Sequence, residues 1–426
     1  MKVRLDYGSD GLEVELPDER CTIIEPNYPP GVADPAGVLR ETLASPTGSS
    51  RLRELVRPGQ RVAISVCDGT RPQPRELMLR AIFDELHHAS IPRSDITILI
   101  ATGTHRGNTG QELRSMLGHE IASELRVINH DARDRDSLRL AGKTASGLPV
   151  WLNRLWLDAD VRITTGFVEP HFFAGFSGGP KMVAPGLAGL DTTMILHDAT
   201  HVGHPDATWG ITEGNPIHDD VREIAGMTGV TFALDVTLNG EKEVTAAFAG
   251  ELFAEHALAC RTSKHEAMRA VAAPFDVVVT TNSGFPLDQN LYQTIKGLSA
   301  AARVVKDGGV ILCASECRDG LPEHGAYAEL LRRRSSPAKL LAMVHEQGFR
   351  EPDQWQVQVQ AMIQSKARVR IRTDYLSPAE LGEAHFEPLD DVAKEASRAL
   401  EAAGPEARLC VLPRGPQTIP YLEPES

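Results

Sequence analysis

Short runs of Val, Ile and Leu alternate with stretches of helical periodicity along almost the whole chain, and this alternation limits the fold more than any other feature. Strand, helix, strand in that order signals βαβ units and a mainly parallel sheet. In the first half the clearest strands are RVAISVCD (61–68), ITILIATGT (96–104) and VRITTGFV (161–168). Between the first two, PRELMLRAIFDELHHA has apolar residues at helical spacing and would pack one face on the sheet. The second half repeats the pattern with FDVVVTTNSG (275–284), GGVILCASEC (308–317), ARVRIRTD (367–374) and ARLCVLPRG (407–415), and NLYQTIKGLSAAARVV is a helix between the first two. The opening MKVRLDYGSDGLEVELPDER alternates around a Gly-containing turn and reads as a β-hairpin. The tail GPQTIPYLEPES, with its three prolines, reads as extended chain.

A chain of 426 residues exceeds one ordinary core and suits two domains. The expected class is α/β: two α/β domains with mainly parallel, Rossmann-like sheets and an active-site cleft between them. The division is expected at 1–265 and 266–426, since an Ala-, Glu- and His-rich helical stretch ends at Ala-Ala-Pro near 255–275. The three first-half strands all run into polar, Gly-containing loops, and ligands of open α/β sheets bind at the carboxyl ends of strands.

The net charge of −14 argues against a nucleic-acid partner and disfavours an anionic membrane surface. A small anionic substrate stays open if a few cations gather locally. No apolar run approaches the roughly 18 residues of a membrane helix. The first residues lack the apolar core of a signal peptide, so a cytoplasmic location is expected. Of the six cysteines only Cys313 and Cys317 are close, and no second pair completes a zinc site, which leaves them as reduced, partly buried thiols.

Four segments collect functional residue types at strand ends. In CDGTRPQP, Asp68, Thr70 and Arg71 sit on a turn held by Pro72; it reads as an anion cradle with a bidentate arginine, or equally as a capped turn. In ATGTHRG, His105 follows a strong strand, where a general base could sit, though a lone loop histidine is more often inert. GFVEPHFFAGFSGGPKMVAPGLAG (166–189) is the richest. His171 ends a strand, Phe172, Phe173 and Phe176 give apolar walls, and Ser177, Gly178 and Gly179 precede Lys181. His197 follows sixteen positions later. The Walker spacing is absent. In NSGFPLDQNLYQTIKGLSAA, Gln293 and Lys296 share one helix face, which alone reads as solvated.

Together these marks, D-x-T-R-P, G-T-H, E-P-H-x-x-A-G-x-S-G-G-x-K, the histidine at 197 and Q-x-x-K, resemble the nickel-pincer-nucleotide-dependent lactate racemase family, in the same order over most of the chain. The resemblance implies a 2-hydroxy acid racemase or epimerase. It implies a pyridinium-3-thioamide-5-thiocarboxylic acid mononucleotide joined covalently to Lys181, with Ni(II) completed by His197, a sensible square-planar site with soft donors. His105 and His171 match the acid/base pair. Arg71, Gln293 and Lys296 match substrate contacts, with Asp68 in the same pocket, and Thr70 with Ser177, Gly178 and Gly179 would meet the phosphate. Residues 1–265 would then be the cofactor-binding and catalytic domain, and 266–426 would add substrate contacts. Cofactor-synthesis proteins are implied partners.

Removing the α-proton of a 2-hydroxy acid creates a very unstable carbanion, so the implied chemistry moves hydride and passes through a planar 2-keto acid. Such a path needs two bases on opposite sides. Phe172, Phe173, Phe285 and Trp355 favour a short-chain acid such as lactate; malate, a longer acid or C2 epimerisation of a sugar acid stays open. His201, His204 and His218 read as loop and helix-cap residues. A non-catalytic nickel or nucleotide carrier would need Lys181 and His197 but not the paired histidines. The absence of G-x-G-x-x-G after the first strand disfavours an NAD-dependent dehydrogenase.

Overall fold

The computed structural model describes residues 1–322 and 325–423. One unit comprises Tyr28–His197 and Pro205–Glu266, and the other Met1–Asn27, Asp198–His204 and Ala267–Ser426. Each is built on a six-stranded sheet.

In the first unit the strand order is Val244–Gly250, Phe232–Leu238, Val161–Phe167, Val62–Cys67, Ile96–Ala101, Arg126–Asn129. All neighbours are parallel except the edge strand Val244–Gly250, which is antiparallel. Every residue of Val62–Cys67 and of Phe232–Leu238 is buried, as a parallel sheet covered on both faces requires. The helix Arg75–His88 places Met78, Leu79, Ile82 and Leu86 in one core with Val62, Ile64, Ile98 and Ile100. The strands and helix expected for this unit match those observed to within a few residues.

The second unit's sheet has the order Glu387–Pro388, Arg368–Arg372, Val305–Ala314, Phe275–Thr281, Leu409–Leu412, Cys21–Ile23, all parallel. The expected opening hairpin is present as Lys2–Leu5 against Leu12–Glu15. Its Val3, Leu5 and Val14 share a core with Val277 and Leu409. The first 27 residues therefore lie in the second unit, which differs from the division drawn from the sequence. Cys21–Ile23 adds an edge strand beside Leu409–Leu412, and a three-residue strand has no period to read. Asp198–His204 also belongs there, because Gln358 Nε2 donates 2.8 Å to the Ala199 carbonyl. In the tail, Ile419–Leu422 pairs in parallel with Met268–Val271, and 424–426 lie outside the described residues. Among the described residues no helix is long and apolar enough to cross a membrane. Cys313 and Cys317 are free and buried.

The first sheet also fixes where a ligand can bind. Val62–Cys67 lies in the middle; the chain adds Ile96–Ala101 on one side and later Val161–Phe167 on the other. The order reverses between Val62–Cys67 and Val161–Phe167, and open α/β sheets bind ligands beyond the carboxyl ends at such a reversal. Asp68 follows the first of these strands, and Glu169 to His171 follow the second.

Candidate active site

Asp68 is buried where Val62–Cys67 ends, and its carboxylate is fully engaged. Oδ1 accepts from the Thr70 hydroxyl at 2.6 Å and the Thr70 N–H at 3.2 Å. Oδ2 lies 2.8 Å from His105 Nδ1. Burial pushes the Asp68 carboxyl up, but hydrogen bonds from His105 and Thr70 and the Arg71 charge outweigh it and hold it below the usual carboxylate range. A carboxylate only accepts, so His105 presents Nδ1–H to Asp68, and in the neutral ring the lone pair is then on Nε2. The His105 side chain is 54% exposed against 6% for Asp68, so the imidazole reaches outward from a buried anchor. Arg71 Nε pairs loosely with Glu169 at 3.8 Å.

His171 belongs to a small ribbon, Pro170–His171 against Gly175–Phe176. Its Nδ1 accepts the Ala174 N–H at 3.2 Å, which leaves the proton of the neutral ring on Nε2. The two histidines thus hold opposite tautomers. The Phe173 ring gathers three of the expected site residues around it. His171 stands at 4.6 Å between ring centroids, His197 at 5.0 Å, and Lys181 Nζ at 6.0 Å from the centroid. His197 is the buried cap of Leu190–Leu196, and Lys181 lies in the short helix Gly179–Met182.

Polar groups of Ser177 and Gly179 are engaged within the protein. The Ser177 hydroxyl donates to the Phe167 carbonyl at 2.7 Å, and the Gly179 N–H donates to Asp235 Oδ2 at 2.7 Å. Thr70 gives its hydroxyl proton to Asp68. The phosphate contacts expected of Thr70, Ser177 and Gly179 thus meet groups already committed within the protein. Gln293 and Lys296 lie in the second unit, half-buried on the same face of Leu291–Ala302 as expected. Trp355 and Phe285 are there too: Trp355 is buried, and Phe285 is exposed beneath the Arg318 guanidinium.

Four buried polar side chains were not singled out from the sequence as site residues: His218, Asp235, Glu255 and His256. An Asp inside the apolar run FALDVTL is the one local signal that could have found them. Asp235 is pushed up to about 7 by burial, and Glu255 is raised by burial and by the Asp235 and Glu251 charges. Neither Glu255 carboxylate oxygen has a hydrogen-bond partner among the described residues. The folded chain therefore holds a proton on Glu255 that the unfolded chain releases above the ordinary pKa of 4.5. Its contribution to stability is complete at low pH and is lost as pH rises through the folded value. Glu255→Gln is expected to leave Tm unchanged at pH 4.5 and to raise it by about 3 °C or more at pH 8.5 in thermal melts. An equal shift at both pH values would show that no proton is involved.

Among the described residues, no three His, Cys, Asp or Glu side chains gather closely enough to hold a metal. A metal at this edge would need donors that a cofactor brings with it. An amine able to form a covalent tether and one imidazole, both beside a single aromatic ring, fit a group of that kind.

Fold and candidate site give an α/β protein with an Asp-supported histidine, a second histidine and a lysine in segments that follow the strands of one sheet. Residues 7–210 match the lactate racemase N-terminal domain and residues 270–419 the lactate racemase C-terminal domain. The chain belongs to the lactate racemase family, a family of isomerases. It is 32% identical to a lactate racemase of Thermoanaerobacterium thermosaccharolyticum, over 98% of each chain. It is 33% identical to one of Lactiplantibacillus plantarum, over 88% of this chain and 89% of that one. The lactate racemase apoprotein structure from T. thermosaccharolyticum superposes with a TM-score of 0.91, covering 99% of this chain and all of that one. A Thermotoga maritima protein at 18% identity and TM-score 0.68, covering 93% of this chain and all of that one, shares the fold.

Proposed function

We propose that this chain racemises a short-chain 2-hydroxy acid, lactate first, with a nickel pincer nucleotide bound covalently to Lys181. The observation that carries this reading is that two histidines follow strands of one sheet, His105 backed by the Asp68 carboxylate and His171 bonded to the Ala174 N–H. Racemisation through a planar 2-keto acid needs a base to take the hydroxyl proton and an acid to return one. His105, with its Nδ1–H held by Asp68, suits the base, taking the proton on Nε2; His171 would be the acid, returning a proton from its imidazolium form. A carrier would have no use for either.

Lys181 would tether the nucleotide and His197 would give nickel one nitrogen. When bound, the nucleotide supplies a carbon that takes up hydride from the substrate and returns it. Arg71 would bind the substrate carboxylate, which would replace its loose 3.8 Å pairing with Glu169. Gln293 and Lys296 would add substrate contacts, a role that rests on the family motif Q-x-x-K alone. Phe172 and Phe173, both buried, favour a compact side chain on the substrate. Dependence on cofactor-synthesis proteins and a cytoplasmic location accompany this reading.

Asp68→Asn is expected to lower kcat by about 10²- to 10⁴-fold, because an amide no longer enforces the Nδ1–H tautomer of His105. Steady-state kinetics on protein with unchanged nickel content check it. The reading itself is tested on the full chain produced together with cofactor-synthesis proteins, by intact mass, nickel content and chiral analysis of added L-lactate. An adduct on Lys181 with conversion toward D-lactate supports it. A loaded chain inactive on lactate but active on malate or a sugar acid would move the substrate, not the chemistry.

A further inference from the structure

Between His171 and Lys181 the main chain is held from behind at four points by side chains from three elements. Asn215 Nδ2 donates to the Phe173 carbonyl at 3.0 Å, and His218 bonds the Ala174 carbonyl. His256 Nε2 donates to the Ser177 carbonyl at 2.9 Å, and Asp235 Oδ2 accepts the Gly179 N–H at 2.7 Å. Asn215 caps Pro216–Thr228, which carries His218; Asp235 is central in Phe232–Leu238; His256 is in Leu252–Ala267.

The turn is built around the last two grips. Gly178 and Gly179 have φ of +71° and +47°. A Cβ on Gly178 would lie 2.6 Å from Val168 Cγ2 and 3.0 Å from Asp235 Oδ2, and one on Gly179 would lie 2.4 Å from His256 Cδ2. Positive φ and close approach both call for glycine at these two positions. The Lys181 N–H then closes on the Gly178 carbonyl at 3.1 Å, so the position of the turn sets where the lysine starts.

Burying Asp235 in an apolar strand and His256 in a core is costly unless each is hydrogen-bonded. Burial holds His256 down to about 4 and, with the His256, Arg222 and Lys181 charges, His218 down to about 3, so both rings are neutral at pH 7. A neutral ring with its proton on Nε2 is the form that can donate to a carbonyl.

We infer that Asp235 and His256 are positioning residues that fix the Ser177–Gly179 turn and thereby the placement of the Lys181 amine. The inference rests on the reading that Lys181 carries a covalent group, and the readouts below separate the two.

In the full cofactor-free chain, Lys181 is labelled with an amine-acetylating N-hydroxysuccinimide ester and followed by peptide mass spectrometry, with the exposed Lys2 and Lys242 as internal references. The same variants are co-produced with cofactor-synthesis proteins and their adduct fraction is read by intact mass. Asp235→Asn keeps an acceptor for the Gly179 N–H and is expected to label and load within about 2-fold of wild type, since a hydrogen bond rather than a charge is required. Asp235→Ala, with folding checked by thermal melt, is expected to change relative Lys181 labelling and to lower the adduct fraction by about 10-fold or more, the scale of a misplacement near 1 Å.

His256→Leu against His256→Gln, which keeps a donor, repeats the comparison should Asp235→Ala not fold. A folded Asp235→Ala or His256→Leu chain whose Lys181 labels and loads like wild type overturns the inference. So does an Asp235→Asn loss as large as that of Asp235→Ala. A wild-type chain that takes no adduct would end the cofactor reading, while the labelling comparison would still decide the positioning role.

Discussion

Replacing Lys181 by arginine is expected to give a folded chain with no covalent adduct and no racemisation above background. Arginine keeps the charge and is only slightly longer, and Lys181 is only half-buried, so folding should survive. A guanidinium stays protonated and cannot serve as the nucleophilic amine a tether needs. On the proposed reading, loss of the tether would remove the hydride acceptor, so the effect on turnover should exceed that of any other single change, about 10⁴-fold or more. Intact mass and chiral analysis on the same preparation check both halves. Wild-type turnover in an adduct-free Lys181→Arg chain would contradict the account at its base.

His105→Ala and His171→Ala are expected to behave differently from Lys181→Arg: both should carry the adduct and both should racemise slowly. Loss of a positioned general acid or base costs about 10²- to 10⁴-fold. The Asp68 contact makes the two variants distinguishable. Without His105 the buried Asp68 loses the hydrogen-bond donor on Oδ2, so His105→Ala should also lower thermal stability. The His171 Nδ1 accepts a main-chain N–H at 3.2 Å, a neutral hydrogen bond worth less than the charged Asp68 contact of His105, so His171→Ala should cost activity with the smaller change in Tm. Initial rates in both directions, normalised to nickel content, measure the first effect and thermal melts the second.

Val62–Cys67, Ile96–Ala101 and Val161–Phe167 were legible because each is a six- or seven-residue run rich in β-branched residues followed by a polar, Gly-containing loop. The residues at their ends, Asp68, His105 and His171, were legible for the same reason, since the chain returns to one sheet edge after each helix. Phe232–Leu238 was not among the clear strands, and with it Asp235 escaped notice. An acid in an apolar run makes sense only once the Gly179 N–H it accepts is known, and that contact spans 56 positions. His218 and His256 lie on helices whose patterns say that one face is buried but not what it meets. The membership of Met1–Asn27 in the second unit depends on a three-residue strand and a hairpin. Local pattern places the hairpin but not the sheet it joins.

Racemisation of L-lactate in D₂O by chain loaded with its cofactor tests the central claim most directly. Internal transfer of hydride and its return to either face keep the C2 hydrogen out of exchange with water. The expected product is D-lactate with protium at C2, formed at nearly the rate seen in H₂O apart from the effect on the hydroxyl proton. D-lactate carrying solvent deuterium at C2 would instead mean abstraction of the α-proton, and the proposed roles of His105, His171 and the group on Lys181 would be wrong.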